Sequence, residues 1–231
     1  MLQKITFTGI DKQTDIDHLC EFVQEYPKAE FGFLALLEHQ SKGNRYCSPS
    51  VLQRYRGRGL PLSLHVCGTL NDRLLQTGDW DEIKRFVGDD FSLFSRIQLN
   101  IAKRFVQTED WKIVVPQGIS EIIIQQRCNE DMPMYEWCLT QKPEIRAGFT
   151  VLLDASGGRG KYDGAPATAA LPYAGYAGGF KPDNVLEAVL ELETSPNVQD
   201  YWIDMESGIR TKRDWFSIEL CQKVCEQLKG F

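Results

Sequence analysis

The chain has 231 residues, enough for one large core or two small domains. Hydrophobic residues make up 42% and charged residues 25%, an ordinary balance for a soluble globular protein, and no apolar run is long enough to cross a membrane. The formal net charge of −6 argues against a nucleic-acid partner, which would favour a basic face, and the one basic run, Arg54-Tyr55-Arg56-Gly57-Arg58, reads as a solvated helix end.

In chain order, short apolar runs suited to strands occur at Lys4–Ile10, Phe31–Leu37, Pro61–Cys67, Ser95–Asn100, Lys112–Pro116, Phe149–Asp154, Tyr173–Ala177 and Tyr201–Met205. Between them, helical spacing recurs at Thr14–Tyr26, Ser48–Arg56, Trp80–Val87, Met134–Thr140 and Pro182–Leu192, and a last helix spans Trp215–Leu228. Alternation of strand and helix demands parallel strands joined by crossovers. Eight such units without a domain-sized linker predict an α/β fold, a single-domain (β/α)8 TIM barrel spanning residues 1–231. Such barrels typically need about 250 residues, fewer when loops are short. An open doubly wound sheet is the alternative, but Thr8-Gly9-Ile10-Asp11 lacks the glycine-rich turn that it favours.

Seven cysteines, at positions 20, 47, 67, 128, 138, 221 and 225, form no C-x-x-C pair. Met1 leads directly into a strand pattern, so free thiols in a reducing cytoplasm are expected. Cys221 and Cys225, four apart on a helical pattern, read as small core-facing residues. The three histidines, His18, His39 and His65, have no metal-binding spacing, and neither a metal nor a cofactor is expected.

The working residues of such barrels lie at the C-terminal strand ends. Reading each strand to its end gives Thr8, Arg45 in the loop after the second strand, His65, Cys67, Asn100, Gln117, Asp154, Gly178-Gly179, and Asp204-Met205-Glu206-Ser207-Gly208. At Gly178-Gly179-Phe180-Lys181-Pro182-Asp183, two glycines end an apolar strand and a helix opens behind them. Glycines let backbone N–H groups approach a ligand, and a helix N-terminus favours an anion. Ser207-Gly208 offers a hydroxyl and another accessible N–H, so a phosphate is expected between these loops, unless the glycines serve only to tighten a turn. Leu152-Leu153-Asp154 delivers a carboxylate to a strand end ahead of a glycine loop with Arg159 and Lys161, which suits a general acid or, equally, a structural ion pair.

Taken in order, these pieces resemble phosphoribosylanthranilate isomerase, the barrel enzyme of tryptophan biosynthesis. Thr6-Phe7-Thr8-Gly9-Ile10 is similar to the family's K-I-C-G-I, and Asn44-Arg45-Tyr46-Cys47-Ser48-Pro49 to its R-Y-x-S-P. Gln98-Leu99-Asn100 resembles Q-L-H, and Leu152-Leu153-Asp154 with Gly158-x-Gly160-Lys161 resembles L-L-D…G-G-x-G-K. Gly178-Gly179-x-x-Pro182-x-Asn184-Val185 is similar to G-G-L-x-P-E-N-V, and Asp204-Met205-Glu206-Ser207-Gly208-Ile209 to D-V-S-S-G-V. The resemblance implies an Amadori rearrangement of a phosphorylated aminosugar. A general base removes the C2′ proton, and a general acid protonates the ring oxygen as the sugar opens. It implies Asp154 as the acid, Gly178, Gly179, Ser207 and Gly208 around the phosphate, and Arg45 at the anthranilate end.

Three positions depart from the pattern. Thr8 stands where the family has its catalytic cysteine, and a threonine hydroxyl is far too weak a base without an activator. Cys67 and His65 are possible substitutes, although His65 also reads as a satisfied barrel-lining residue. Asn100 replaces the usual histidine, and Glu206 brings a negative charge beside the expected phosphate unless Arg210, four residues on, pairs with it. Glu206 could also act as a base with Asp154 as its partner, in an epimerase- or aldolase-type reaction. A barrel that binds a ligand without catalysis is the third reading. The expected partner is a small phosphorylated molecule, with no nucleic acid and no membrane, and the expected assembly is a monomer or homodimer.

Overall fold

The structure, a computed structural model, describes residues 1–37, 44–46, 48–88, 91–101, 113–127, 136, 140, 148–156, 160–161 and 171–231. In β1 (Leu2–Thr8), Ile5 and Phe7 point outward, and Phe7 meets the ring of Phe22 edge-on at 6.0 Å on α1 (Ile16–Glu25). The alternate residues Lys4, Thr6 and Thr8 point into the barrel, as the period of two along a strand requires. Asp15 starts α1 as an N-cap whose carboxylate accepts from the N–H groups of Asp17 and His18.

The remaining strands are β2 (Ala29–Ala35), β3 (Leu62–Val66), β4 (Arg96–Leu99), β5 (Glu121–Arg127), β6 (Phe149–Asp154), β7 (Tyr173–Ala177) and β8 (Asp200–Met205). All neighbours pair in parallel, and β8 closes on β1 with Thr6 opposite Asp204, so the sheet is a closed eight-stranded barrel. The outer helices are α1, α2 (Pro49–Gln53), α3 (Gly68–Thr77), α4 (Asp81–Val87), α5 (Val185–Thr194) and α6 (Ile218–Gln227) among the described residues. Ser217 caps α6 by accepting from Leu220 N–H, and Cys221 and Cys225 face the core from that helix. No helix among the described residues is long and apolar enough to cross a membrane.

One strand lies elsewhere than the sequence suggests. The fifth is Glu121–Arg127, not Lys112–Pro116, of which the described residues 113–116 are not in the sheet. That segment buries Ile113, and its Val114 carbonyl accepts a hydrogen bond from Trp80 Nε1 at 3.0 Å, so its backbone is served by a side chain instead of a ladder. The turn through Gly118, at φ +88°, then leads to the buried run Ile122-Ile123-Ile124. Gln117 therefore lies in the turn before β5, not at a strand end. The helix α3 was not among those expected. Of Met134–Thr140, only Glu136 and Thr140 are described, and both are helical.

Inside the barrel the lower layer is ionic. Glu30, fully buried, accepts from Lys4 Nζ at 2.9 Å, Thr6 Oγ1 at 3.0 Å, and Arg96 Nε and Nη2 at 3.1 and 2.5 Å. Arg96 also donates to Glu121 at 3.0 Å and lies over the Trp202 ring at 4.8 Å. Burial alone would raise the Glu30 carboxyl, but the guanidinium of Arg96 outweighs it and holds the group at about 2. Adjoining this layer is an apolar cluster of Ile123, Leu152 and Trp202. Gly175 makes room there, since a Cβ on it would collide with Trp202 and Leu152.

Candidate active site

A cavity of about 230 Å³ opens at the C-terminal ends of the strands. One wall is made by three glycine-bearing loops. Gly178 and Gly179 follow β7 at φ +138° and +78°, and a Cβ on Gly178 would approach that of Ala155 to 3.0 Å. Gly208 packs so tightly on Phe180 and Lys181 that no side chain fits there, which fastens the loop after β8 to the loop after β7. Gly160, at φ +64°, lies close to Ser207, whose Oγ a Cβ on it would approach to 3.2 Å. Small residues thus bring three stretches of backbone to one wall. The helix behind them starts at Val185, not Pro182, because Asn184 closes a turn first. Its side chain accepts from Lys181 N–H at 2.9 Å and donates to Gly179 O at 3.1 Å.

Facing this wall, Asp154 ends β6 and is 4% exposed. Its carboxylate accepts from Gln125 Nε2 at 2.8 Å, from Ser156 N–H at 3.0 Å and from Ser156 Oγ at 2.8 Å. The Ser156 hydroxyl in turn accepts from Gly160 N–H at 3.1 Å, which ties the carboxylate to the glycine wall.

The floor holds a second carboxylate. Asp204, on β8, accepts from Thr8 Oγ1 at 2.7 Å across the seam of the barrel. His65 Nδ1 lies 3.9 Å from its other oxygen, and Ser63 Oγ lies 3.1 Å from His65 Nε2. Gly32 sits between these groups, and a Cβ there would crowd both Thr8 and His65. Burial pushes the Asp204 carboxyl up to about 7, with Glu206 adding to the effect and the Thr8 hydrogen bond opposing it. Burial likewise pushes the His65 imidazole down to about 3, so it is neutral near pH 7. Beside them, Gln98 Nε2 donates to Asn100 Oδ1 at 2.9 Å, and Asn100 Nδ2 to Cys67 Sγ at 3.2 Å. This fixes the Gln98 amide and leaves its buried Oε1 without a hydrogen-bond partner.

At the rim, Arg45 bridges Glu206 at 2.5 Å and Asp214 at 2.6 Å. Glu206 is therefore neutralised by Arg45, not by Arg210. Arg210 is buried and spent on Asp11 at 3.2 Å, Asp214 at 2.8 Å and the Gly9 carbonyl at 2.6 Å. A substrate carboxylate would compete with Glu206 and Asp214 for Arg45. Asp214 holds both guanidinium groups from φ +60°, a left-handed conformation that no other non-glycine residue among those described adopts.

Of the residues singled out from sequence, Thr8, His65, Asn100, Asp154, Gly178, Gly179, Glu206, Ser207 and Gly208 all line the cavity. Cys67 and Arg45 do not. They act one step back, Cys67 on Asn100 and Arg45 on Glu206. The sequence places Asp204 among the strand-end residues without giving it a role, and it does not single out Gln98, Gln125 or Ser156 as site residues. For Asp204 a signal existed, since Tyr201-Trp202-Ile203-Asp204 ends an apolar strand in a carboxylate just as Leu152-Leu153-Asp154 does. Among the described residues, no group of three or more His, Cys, Asp or Glu could hold a metal ion.

No family model matches the chain, and no curated protein matches it in sequence. Solved structures do match over its full length. A monomeric form of the dimeric phosphoribosylanthranilate isomerase of Thermotoga maritima is 16% identical, with all of both chains covered and a TM-score of 0.58. Phosphoribosyl anthranilate isomerase of Thermus thermophilus is 17% identical, with 98% of each chain covered and a TM-score of 0.56. An isomerase bound to reduced 1-(o-carboxyphenylamino)-1-deoxyribulose 5-phosphate is 15% identical, with all of both chains covered and a TM-score of 0.56. At such identities the likeness establishes the fold: this chain is a (β/α)8 barrel built like those isomerases.

Proposed function

We propose that this chain isomerises a phosphorylated aminosugar by an Amadori rearrangement, with Asp154 as general acid at the ring oxygen. The observation that carries this reading is the pairing of Asp154 with the glycine wall across one cavity. The carboxylate is held by Gln125 and Ser156, and Ser156 is bonded to the loop that approaches Ser207. A phosphate seated among Gly178, Gly179, Ser207 and Gly208 would fix one end of the sugar and leave its ring beside Asp154. One neighbouring isomerase binds a phosphorylated sugar derivative in the same kind of barrel, which supports a substrate of that class. The reaction needs proton transfers that accompany ring opening, and the cavity supplies carboxylates and hydrogen-bonding groups suited to them.

The test is complementation of a tryptophan auxotroph that lacks phosphoribosylanthranilate isomerase. Growth is expected from the native chain, and its loss from Asp154→Asn. Absence of growth with soluble, expressed native protein rejects this substrate.

A further inference from the structure

The proposed reaction needs a group to accept the C2′ proton, and this inference rests on that reading. Thr8 stands at the position where the resembling family carries its thiol, but its hydroxyl proton is already donated to Asp204 at 2.7 Å. Cys67 lies off the cavity with its sulfur accepting from Asn100, and the His65 imidazole, which lines the cavity, is pushed by burial down to about 3, too weak a base for the step. Asp204, the carboxylate to which Thr8 points, lines the cavity beside Thr8 and His65 and is the acidic group of the three. We infer that Asp204 is the base of the reaction and that Thr8 is its positioning residue, so that the proton acceptor has moved from β1 to the neighbouring strand β8.

The geometry supports this in three ways. Asp204 lies opposite Thr6 in the β1–β8 register, so its side chain enters the barrel in the same layer as Thr8. Only one of its oxygens is committed to Thr8, while the other lies 3.9 Å from the imidazole, beyond hydrogen-bond reach. Gln98 lines the same cavity, and its buried Oε1, without a hydrogen-bond partner, is an acceptor that a sugar hydroxyl could satisfy.

The groups facing Asp204 are Thr8 from β1, His65 from β3 and Glu206 from the loop after its own strand, with Glu30 on β2 and Arg96 on β4 one layer below. Arg96 and Glu30 act in opposite senses, His65 is neutral, and burial keeps the carboxyl near neutrality at about 7. A base poised near the working pH is the efficient choice.

The steps balance. Asp154 gives a proton to O4′ as the C1′–O4′ bond breaks and the nitrogen lone pair forms C1′=N. Asp204 takes the proton from C2′, whose electron pair becomes the C1′=C2′ bond of an enolamine as the C1′=N π pair returns to nitrogen. Asp204 then returns a proton to C1′, the C2′ hydroxyl proton is released to restore Asp154, and a ketone remains at C2′. C1′ is reduced and C2′ oxidised within one molecule, so no external oxidant is required.

The experiment follows turnover of phosphoribosylanthranilate against pH for the native chain, Asp204→Asn, Thr8→Val and Thr8→Cys. Expected for Asp204→Asn is a loss of about 10²- to 10⁴-fold in kcat with KM little changed, and disappearance of the acid limb of the profile. Thr8→Val removes the hydrogen bond that favours the charged carboxylate, so its acid limb moves to higher pH. This second variant keeps the inference testable if Asp204→Asn does not fold. Turnover by Asp204→Asn within about threefold of native overturns the inference and leaves the isomerase reading standing. A silent native chain that Thr8→Cys makes active also overturns it, because the native site then lacks a base. If both are silent, the isomerase reading itself fails and the inference falls with it.

Discussion

Glu30 and Asp204 are carboxylates buried in the same barrel, one layer apart, and they reach opposite electrostatic states. Glu30 receives four hydrogen bonds, from Lys4, Thr6 and twice from Arg96, and stays charged down to about pH 2. Asp204 receives one, from a neutral hydroxyl, and holds its proton up to about pH 7. Burial is common to both and pushes both upward. The difference is a cation. Placing Arg96 on β4 in the lower layer makes that layer a fixed strut, while leaving a cation out of the upper layer leaves a carboxyl that can exchange protons with a ligand.

Three changes break or sharpen this contrast. The largest effect is expected from Arg96→Leu, which takes the guanidinium from buried Glu30, leaves its charge to Lys4 and should cost about 3–5 kcal/mol in a urea denaturation. A smaller cost would mean that water or Lys4 takes over the role of the guanidinium.

The second compares pH slopes. Glu30 has its ordinary value at 4.5 and its folded value near 2, so its contribution is present above pH 4.5 and lost as the pH falls toward 2. That contribution amounts to about 3 kcal/mol, and Glu30→Gln abolishes the slope. Asp204 has the reverse sign. Its ordinary value is 3.8 and its folded value about 7, so the folded state binds the extra proton and loses stability as the pH rises between these values. Asp204→Asn should therefore stabilise the protein at pH 8 by about 2–4 kcal/mol, with no gain at pH 4. Equal slopes for the two variants would erase the distinction between the layers.

The smallest effect belongs to the rim. Arg45 and Glu206 are 27% and 33% exposed, so Glu206→Gln should change stability by about 1 kcal/mol or less. The same variant removes a negative charge from the lining of the cavity, and calorimetry should show inorganic phosphate binding a few-fold more tightly, by about 1 kcal/mol.

The barrel and most of its strands were legible because alternating apolar runs survive in the sequence. The fifth strand was not, because Lys112–Pro116 and Ile122-Ile123-Ile124 both read as short apolar runs, and periodicity cannot tell which one the sheet takes. What separates them is the hydrogen bond from Trp80 to Val114, a contact between distant residues. At the site, the glycine wall and Asp154 stood out because glycine and a strand-end carboxylate are local signals. The Arg45–Glu206 pair and the role of Asp204 were hidden for the same reason in reverse. Both depend on partners more than 160 residues away, and nothing local announces that Arg210 is already occupied or that Thr8 donates across the seam.

That seam carries a consequence for assembly. Thr8 and Asp204 are 196 positions apart and meet only where the last strand docks on the first. Loop closure over such a span comes late and is slow. Until the ring is complete, Asp204 is wet, ordinary in acidity and without its hydroxyl, while the Asp154–Ser156 unit, local in sequence, can already form. A chain with seven strands in place would thus hold a nearly finished cavity that cannot do chemistry, and reactivity would switch on with the final docking step.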